Sequence, residues 1–249
     1  MSETLGPINV LSYGAGRQTA GMLALIKLGR LLPPDMVVFA DTGGEKPATY
    51  QHIKEWAKPL CAGLGIPFHE VKYTIRGEPW TLYDYAWKYQ WLPQPWQRMC
   101  STKFKMTAIE RFLRPHKPVR VWLGISLDEA HRQRVSPTSW VEHVYPLVDA
   151  RLTLRDCITA LRVAAIPVPP KSSCFFCPFQ RFGQWMDMKR GSPDLYQKAI
   201  ELEEHAREKN PSVTLNGKAP LRSYLKGNQL AWEELLDAEA GCHTGLCFV

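Results

Sequence analysis

Two groups of residues in this 249-residue chain have types and spacings suited to chemistry. The first is the run Ser12-Tyr13-Gly14-Ala15-Gly16-Arg17-Gln18-Thr19. Apolar Ile8-Asn9-Val10-Leu11 precedes it and reads as a buried strand, and Ala20 to Leu28 follows and reads as a helix. A strand, a small-residue turn and a helix start together aim free backbone N–H groups at an anion. Gly14, Ala15 and Gly16 let a phosphate come close to the main chain. Arg17 adds a charged donor fork, and Thr19 adds a hydroxyl at the helix start. The run lacks the Gly-Lys-Ser/Thr ending of a Walker A loop and the third glycine of the dinucleotide fingerprint. A tight strand-to-helix turn with a helix cap is the plain alternative.

The second group is cysteine. The chain has seven, and four of them form two close pairs, Cys174/Cys177 and Cys242/Cys247. Two intervening residues let the sulfurs of Cys174 and Cys177 face one ion or cluster. The second pair encloses Gly245 in a turn. Cys100 supplies another thiolate at a helix start, where the dipole lowers a thiol pKa. A four-thiolate zinc site and an iron–sulfur centre both fit these spacings. Cys61 and Cys157 lie on apolar helix faces and read as core. Met1-Ser2-Glu3-Thr4 carries an acid and no apolar segment, so a cytoplasmic protein without a disulfide framework is expected.

These groups need elements to position them. Length and a 45% hydrophobic content suit a substantial α/β core. No run of about 18 apolar residues exists, so no membrane partner is expected. A net charge of +7, spread without a like-charged block, points to an anionic partner such as a nucleotide or nucleic acid. Strands are predicted at Met36–Ala40, Ile66–Val71, Val119–Leu123 and, briefly, Val144–Leu147. Helices are predicted from Pro47 through Trp56, over Met106–Leu113, Thr153–Ala165 and Leu195–Lys209, and near Ala231–Ala238. This alternation predicts a mostly parallel sheet with helices on both faces. Functional groups then sit at the strands' carboxyl ends, where Arg17 and Asp41 fall. Asp41 could hold a ribose hydroxyl or an adenine edge; a helix cap is the alternative. Residues 72–99, with Trp80, Trp87, Trp91 and Trp96, read as an irregular aromatic insertion that packs against the body, base stacking being the alternative. The expected division is a nucleotide-binding domain over residues 1–170 and a cysteine-bearing C-terminal extension over 171–249.

In order, these stretches resemble the phosphoadenosine phosphosulfate (PAPS) reductase-like branch of the PP-loop ATP pyrophosphatases, within the adenine nucleotide alpha hydrolase superfamily. Gly14–Thr19 is similar to the family's Ser-Gly-Gly-Lys/Arg-Asp-Ser loop. Asp41-Thr42-Gly43 with Pro47-Ala48-Thr49 resembles its Asp-Thr-Gly…Pro-Glu-Thr motif. Arg98–Lys105 resembles its Cys-containing, Lys-bearing segment. Gly124-Ile125 with Asp128, Glu129 and Arg132 resembles its Gly-Ile/Leu-Arg…Asp…Arg element. Gly14 and Gln18 replace the loop's first serine and its acid, Ser126 stands where arginine is frequent, and no Glu-Cys-Gly-Leu-His tail is present.

The resemblance implies an enzyme that binds ATP or an adenylyl nucleotide with Mg²⁺ and acts in sulfur transfer. Thiolation of a nucleic acid, DNA or tRNA, with a sulfur donor protein is one implied course. A sulfonucleotide reductase proper and a zinc-stabilised nucleic-acid-binding protein are the alternatives. The implied nucleotide-binding residues are Ser12 to Thr19, Asp41, Thr42, Gly43, Lys103, Gly124 and Ile125. Arg17, Lys105, Arg132 and Cys100 are the implied catalytic set, though any one cation alone reads as surface charge. The implied 4Fe–4S ligands are Cys100, Cys174 and Cys177, with Cys242 or Cys247 as the fourth.

Overall fold

The computed structural model describes residues 6–225. The helix expected near Ala231–Ala238, and Cys242 and Cys247, lie outside them. In chain order the elements begin with β1 (Ile8–Ser12), α1 (Arg17–Lys27), β2 (Met36–Ala40) and α2 (Pro47–His52). A π-helical turn, Ile53–Ala57, carries α2 into α3 (Lys58–Gly63), and β3 (Phe68–Val71) follows. Next come β4 (Thr74–Ile75), β5 (Glu78–Pro79) and α4 (Leu82–Lys88). A π-helical stretch, Cys100–Thr107, runs into α5 (Ala108–Leu113). Then follow β6 (Val119–Trp122), a 3₁₀ turn at Leu127–Arg132, β7 (Val141–Val144), α6 (Pro146–Asp149) and α7 (Leu154–Val163). The last described helices are α8 (Phe182–Gly191), α9 (Pro193–Lys209) and α10 (Leu221–Tyr224).

The chain divides into two compact units. The first takes residues up to Asp41, Lys46–Lys72 and Lys105–Ser172. The second takes Thr42–Glu45, Tyr73–Phe104 and the described residues from Ser173 onward.

The first unit holds a five-stranded sheet in the order β3-β2-β1-β6-β7, and every neighbouring pair is parallel. Both faces are covered, which explains why its strands read as continuous apolar runs. Leu11, Val37, Phe39 and Trp122 face a core shared with α1, α3 and α7. Val10, Val38, Val119, Val121 and Val141 face the opposite core, closed by Ile109 and Leu113 of α5. Gly21 brings α1 against α7, because a Cβ there would stand 2.5 Å from that of Cys157. Thr153 and Asp156 fix the start of α7 with reciprocal backbone bonds, a capping box. From β1 the sheet grows one way through β2 and β3 and the other way through β6 and β7. The carboxyl ends of β1 and β6 therefore flank a topological switch point, where ligands of such sheets bind.

The second unit packs Leu82, Leu92, Phe104, Phe176, Trp185 and Leu202 into its own core. Residues 72–99 correct the expectation of irregular structure: they hold the antiparallel pair β4–β5 and the helix α4. Thr81 caps α4 by accepting from the Asp84 N–H at 3.0 Å. Its aromatics mostly pack, as Tyr85 does against Phe104 at 5.5 Å, while Trp96 is exposed. Two further expectations are corrected. The strand placed at Val144–Leu147 ends at Val144, and Pro146 instead opens α6, its fixed φ suiting a first helical position. Helix α8 leaves no clear pattern in the sequence, because Gly183 and Gly191 dilute it and Arg181 stands at its N-cap.

Candidate functional site

The first unit assembles the turn after β1. Ser12 ends the strand and Tyr13 hydrogen-bonds through its N–H to the Val38 carbonyl at 2.8 Å. Ala15 is buried with φ of 54°, a left-handed conformation that L-residues seldom take. Gly16 is the N-cap of α1, and no side chain caps the helix there. The first N–H groups of α1, from Arg17, Gln18 and Thr19, have no intrahelical partner. Ala15 and Thr19 are buried, and Gly14, Gly16, Arg17 and Gln18 are half-buried, so the turn is open to an approaching ligand.

Two other loops converge on this helix start. After β6, Gly124 packs so tightly on α1 that a Cβ would lie 2.5 Å from the Thr19 methyl and 3.3 Å from the Thr19 nitrogen. Ile125 and Ser126 follow, both buried. Glu129 accepts from the Gln18 amide at 3.1 Å and pairs with Arg132 at 2.9 Å. The Arg132 and Glu129 side chains are only 5% and 15% exposed, so this pair stands in a partly desolvated setting. Gln18 thus ties α1 to Glu129, one turn from Arg132. From the other side comes the segment ending at Ser172, whose hydroxyl would stand 3.3 Å from a Cβ at position 16. His52 anchors this segment through its Nε2 at 2.9 Å from the Pro167 carbonyl.

Several buried polar atoms of the first unit have no hydrogen-bond partner among the described residues. They include Arg17 Nε, Ser126 Oγ, Ser172 Oγ and Thr49 Oγ1. Sequence reasoning missed Ser172 and the link from Gln18 to Glu129, since neither has a local spacing signal. Asp41, at the end of β2, accepts from the Tyr50 hydroxyl at 2.6 Å and pairs with Lys72 at 3.3 Å. It is a hydrogen-bonded carboxylate, not the cap of α2, whose N-cap is Lys46. Lys105 is half-buried in the last part of the π-helical stretch.

The remaining nominated residues fall in the second unit. Thr42 is fully buried, and its Oγ1 lies 3.4 Å from the Cys174 sulfur. Gly43 has φ of +67° and faces Thr81, whose Cβ would lie 2.6 Å from any Cβ added there. Lys103 is held at Tyr85, with Nζ 3.4 Å from the hydroxyl and 5.4 Å from the ring centre.

Cys174 and Cys177 share one turn, closed by the Cys177 N–H donating to the Cys174 carbonyl at 3.1 Å. The Phe175 N–H donates to the Gly44 carbonyl at 2.9 Å, so the turn is fastened to the segment after β2. Cys100 begins the π-helical stretch and is half-buried. Among the described residues, no three His, Cys, Asp or Glu side chains form a metal-holding group. Cys100 is therefore not gathered with Cys174 and Cys177 into a three-ligand set. The described turn offers two thiols, half of a four-thiolate site. Cys61 and Cys157 are core, as expected: both are fully buried, and burial pushes each thiol up to about 12.

No helix among the described residues is long and apolar enough to cross a membrane. No protein-family model matches the chain. The uncharacterized nin region protein ORF290 of Escherichia phage lambda is 29% identical over 155 residues, covering 52% of this chain and 52% of that protein. The chain thus matches about half the length of that curated relative. Among solved structures, U34-tRNA thiolase NcsA from Methanococcus maripaludis, with its 4Fe–4S cluster, has a TM-score of 0.44 and 12% identity, covering 95% of this chain and 74% of its own. Phosphoadenylyl-sulfate reductase from Candida auris, in complex with phosphate, has a TM-score of 0.48 and 17% identity, covering 68% of this chain and 78% of its own.

Proposed function

We propose that the chain is a PAPS reductase-like PP-loop enzyme that binds ATP or another adenylyl nucleotide and acts in sulfur transfer. One observation carries this reading. At the turn Gly14–Gly16 and the start of α1, on a switch point of a parallel sheet, Arg17 Nε and the neighbouring Ser172 Oγ are buried polar atoms without partners among the described residues. A phosphate supplies the acceptor oxygens that such donors need. The ordered motifs from residue 14 to residue 177 support the same family. In this reading an acceptor oxygen attacks the α-phosphorus of ATP, pyrophosphate leaves, and a sulfur nucleophile later displaces AMP. The work asked of the protein is positioning and charge stabilisation. Arg17 and the first N–H groups of α1 bind phosphate oxygens. The Arg132–Glu129–Gln18 chain holds α1 and the loop after β6 in register. Lys103 and Lys105 are the further cations of this proposal, and Asp41 the polar contact for the nucleoside. The +7 charge supports nucleic acid as the class of acceptor.

The test is calorimetric titration with magnesium-loaded ATP. Arg17→Ala should weaken binding by about 1–3 kcal/mol, the range for a charge-assisted hydrogen bond. Wild-type protein that binds neither ATP nor AMP would overturn the reading.

The proposal extends to a metal centre built on Cys174 and Cys177. Two described thiols do not by themselves fit a cluster. The 4Fe–4S form needs one of Cys242 and Cys247 and also Cys100, which would have to move to join the turn, whereas the zinc form needs both C-terminal cysteines and leaves Cys100 out. No chemical step is assigned to it. Cys177→Ser should lower the metal content of anaerobically purified protein to near zero, because ligand loss and local unfolding are linked. Equal metal content in variant and wild type removes Cys177 from any such centre.

A further inference from the structure

The loops on either side of α1 end in two serines to which nothing above gives a task. We propose that Ser172 and Ser126 are ligand-binding residues that donate hydroxyl hydrogen bonds to a tetrahedral oxyanion held at the start of α1. This rests on the anion-binding reading of that turn and adds the groups that fix the oxyanion's orientation.

Ser172 is 5% exposed and Ser126 is fully buried. Neither hydroxyl has a hydrogen-bond partner among the described residues, and the same holds for the Nε of Arg17. Two different segments carry them. The segment anchored by His52 at Pro167 delivers Ser172 to Gly16, where a Cβ would crowd its oxygen at 3.3 Å. The loop after β6 presses on Thr19 at Gly124 and carries Ser126 two residues further on.

Ser126 shows the point most clearly. It occupies the N-cap of the 3₁₀ turn Leu127–Arg132, with the extended backbone (φ −87°, ψ 167°) that a capping serine adopts. A serine there ordinarily accepts from an N–H in the first turn, yet this side chain caps nothing. Its hydroxyl is spared for something else.

A buried hydroxyl without a partner costs stability, and such groups concentrate at functional sites. Two hydroxyls, one guanidinium nitrogen and the N–H groups of a helix start are all donors. The occupant that satisfies them together must present several acceptor oxygens in a small volume. A phosphoryl or sulfuryl group does so. Glu129, which accepts from Gln18 of α1, does not forbid it, because it is paired with Arg132. Neutral donors read the oxyanion's geometry rather than its charge, leaving Arg17 as the ionic contact.

The test uses Ser172→Ala, Ser126→Ala, the double variant and the conservative Ser172→Thr, with Arg17→Ala alongside. Apo stability is read by thermal denaturation. Binding of magnesium-loaded ATP, AMP, inorganic phosphate and inorganic sulfate is read by calorimetry. The proposal expects an unusual pair of results. Each alanine variant keeps or gains apo melting temperature, because an unpartnered hydroxyl has been removed. Each also binds ATP about tenfold more weakly, while Ser172→Thr stays within about threefold of wild type. Loss of inorganic phosphate binding in the double variant assigns the oxyanion as phosphoryl, and loss of sulfate binding instead assigns it as sulfuryl. Wild-type ATP affinity in both alanine variants, with affinity lost in Arg17→Ala, overturns this inference and leaves the anion site standing. Wild-type affinity in Arg17→Ala as well removes the anion site itself. A melting temperature that falls in the alanine variants assigns the hydroxyls a structural partner and also overturns the inference.

Discussion

Glu203→Ala should destabilise the second unit by about 2–4 kcal/mol at neutral pH. Glu203 on α9 is 1% exposed, yet it is a carboxylate. Its two oxygens accept from the backbone N–H groups of Leu215, at 2.7 Å, and Leu221. One side chain therefore fastens the loop after α9 and the start of α10. Alanine leaves both donors buried and unsatisfied, at roughly 1–3 kcal/mol each, offset by the charge no longer held out of water. Thermal denaturation reads the loss, about 5–15 °C for a protein of this size.

The pH dependence has a definite sign. Burial, the largest influence, raises the Glu203 pKa, and the two backbone bonds and Arg207 only partly oppose it. Between the ordinary glutamate range and the raised native value, the folded protein binds a proton that the unfolded chain does not. The pH-dependent part of this group's stability is therefore fully present below the unfolded pKa and is lost as pH rises through the native one, while the carboxylate's acceptance from the two N–H groups remains. Glu203→Gln should remove that slope while costing less than alanine, because its amide oxygen still accepts from one N–H. A Glu203→Gln variant with the same pH slope as wild type assigns the slope to other groups.

The two units were legible in the sequence to different degrees, and the reasons are physical. Sheet and helices of the first unit were readable because both faces of its strands are buried: Val10-Leu11 and Val37-Val38-Phe39 leave continuous apolar runs. The turn at Gly14–Thr19 was readable because its small residues and cation are contiguous. Ser172 was not, since it reaches Gly16 only through folding across more than 150 residues, and a single serine carries no pattern. In sequence Gln18 shows only an absent acid; its bond to Glu129 gives it a role that depends on a residue 111 positions away. Thr42 looked like a nucleotide contact by its place after Asp41, whereas its hydroxyl lies at the Cys174 sulfur. Helix α8 escaped because its burial comes from Phe182, Trp185 and Met188 amid glycines and charges, a tertiary stripe that outweighs weak local preference.

The largest effect in the first unit should come from Gly21. A Cβ on Gly21 would lie 2.5 Å from the Cys157 Cβ, 2.9 Å from its Cα and 3.2 Å from its carbonyl oxygen. Two of those atoms are backbone, so no rotamer change makes room, and α1 and α7 must separate. Overpacking of this kind costs about 1–3 kcal/mol, occasionally more, against roughly 1 kcal/mol gained by replacing glycine within a helix. Gly21→Val, with two further methyl groups and no propensity gain to match alanine's, should cost about 3 kcal/mol or more. Gly63, in α3 with nothing within 4 Å of its notional Cβ, provides the contrast: Gly63→Ala should be neutral or mildly stabilising. The consequence reaches function, because α1 carries Arg17 and Thr19 and is seated between Ser172 and Gly124. Moving the helix pulls its start away from both loops, so Gly21→Val should lose ATP affinity together with melting temperature. The serine variants differ by losing affinity alone. Adding Cys157→Gly removes the closest atom and should restore part of the stability, a coupling that a double-mutant cycle measures directly. A Gly21→Val variant as stable as wild type would mean that α1 and α7 are not in the close contact described.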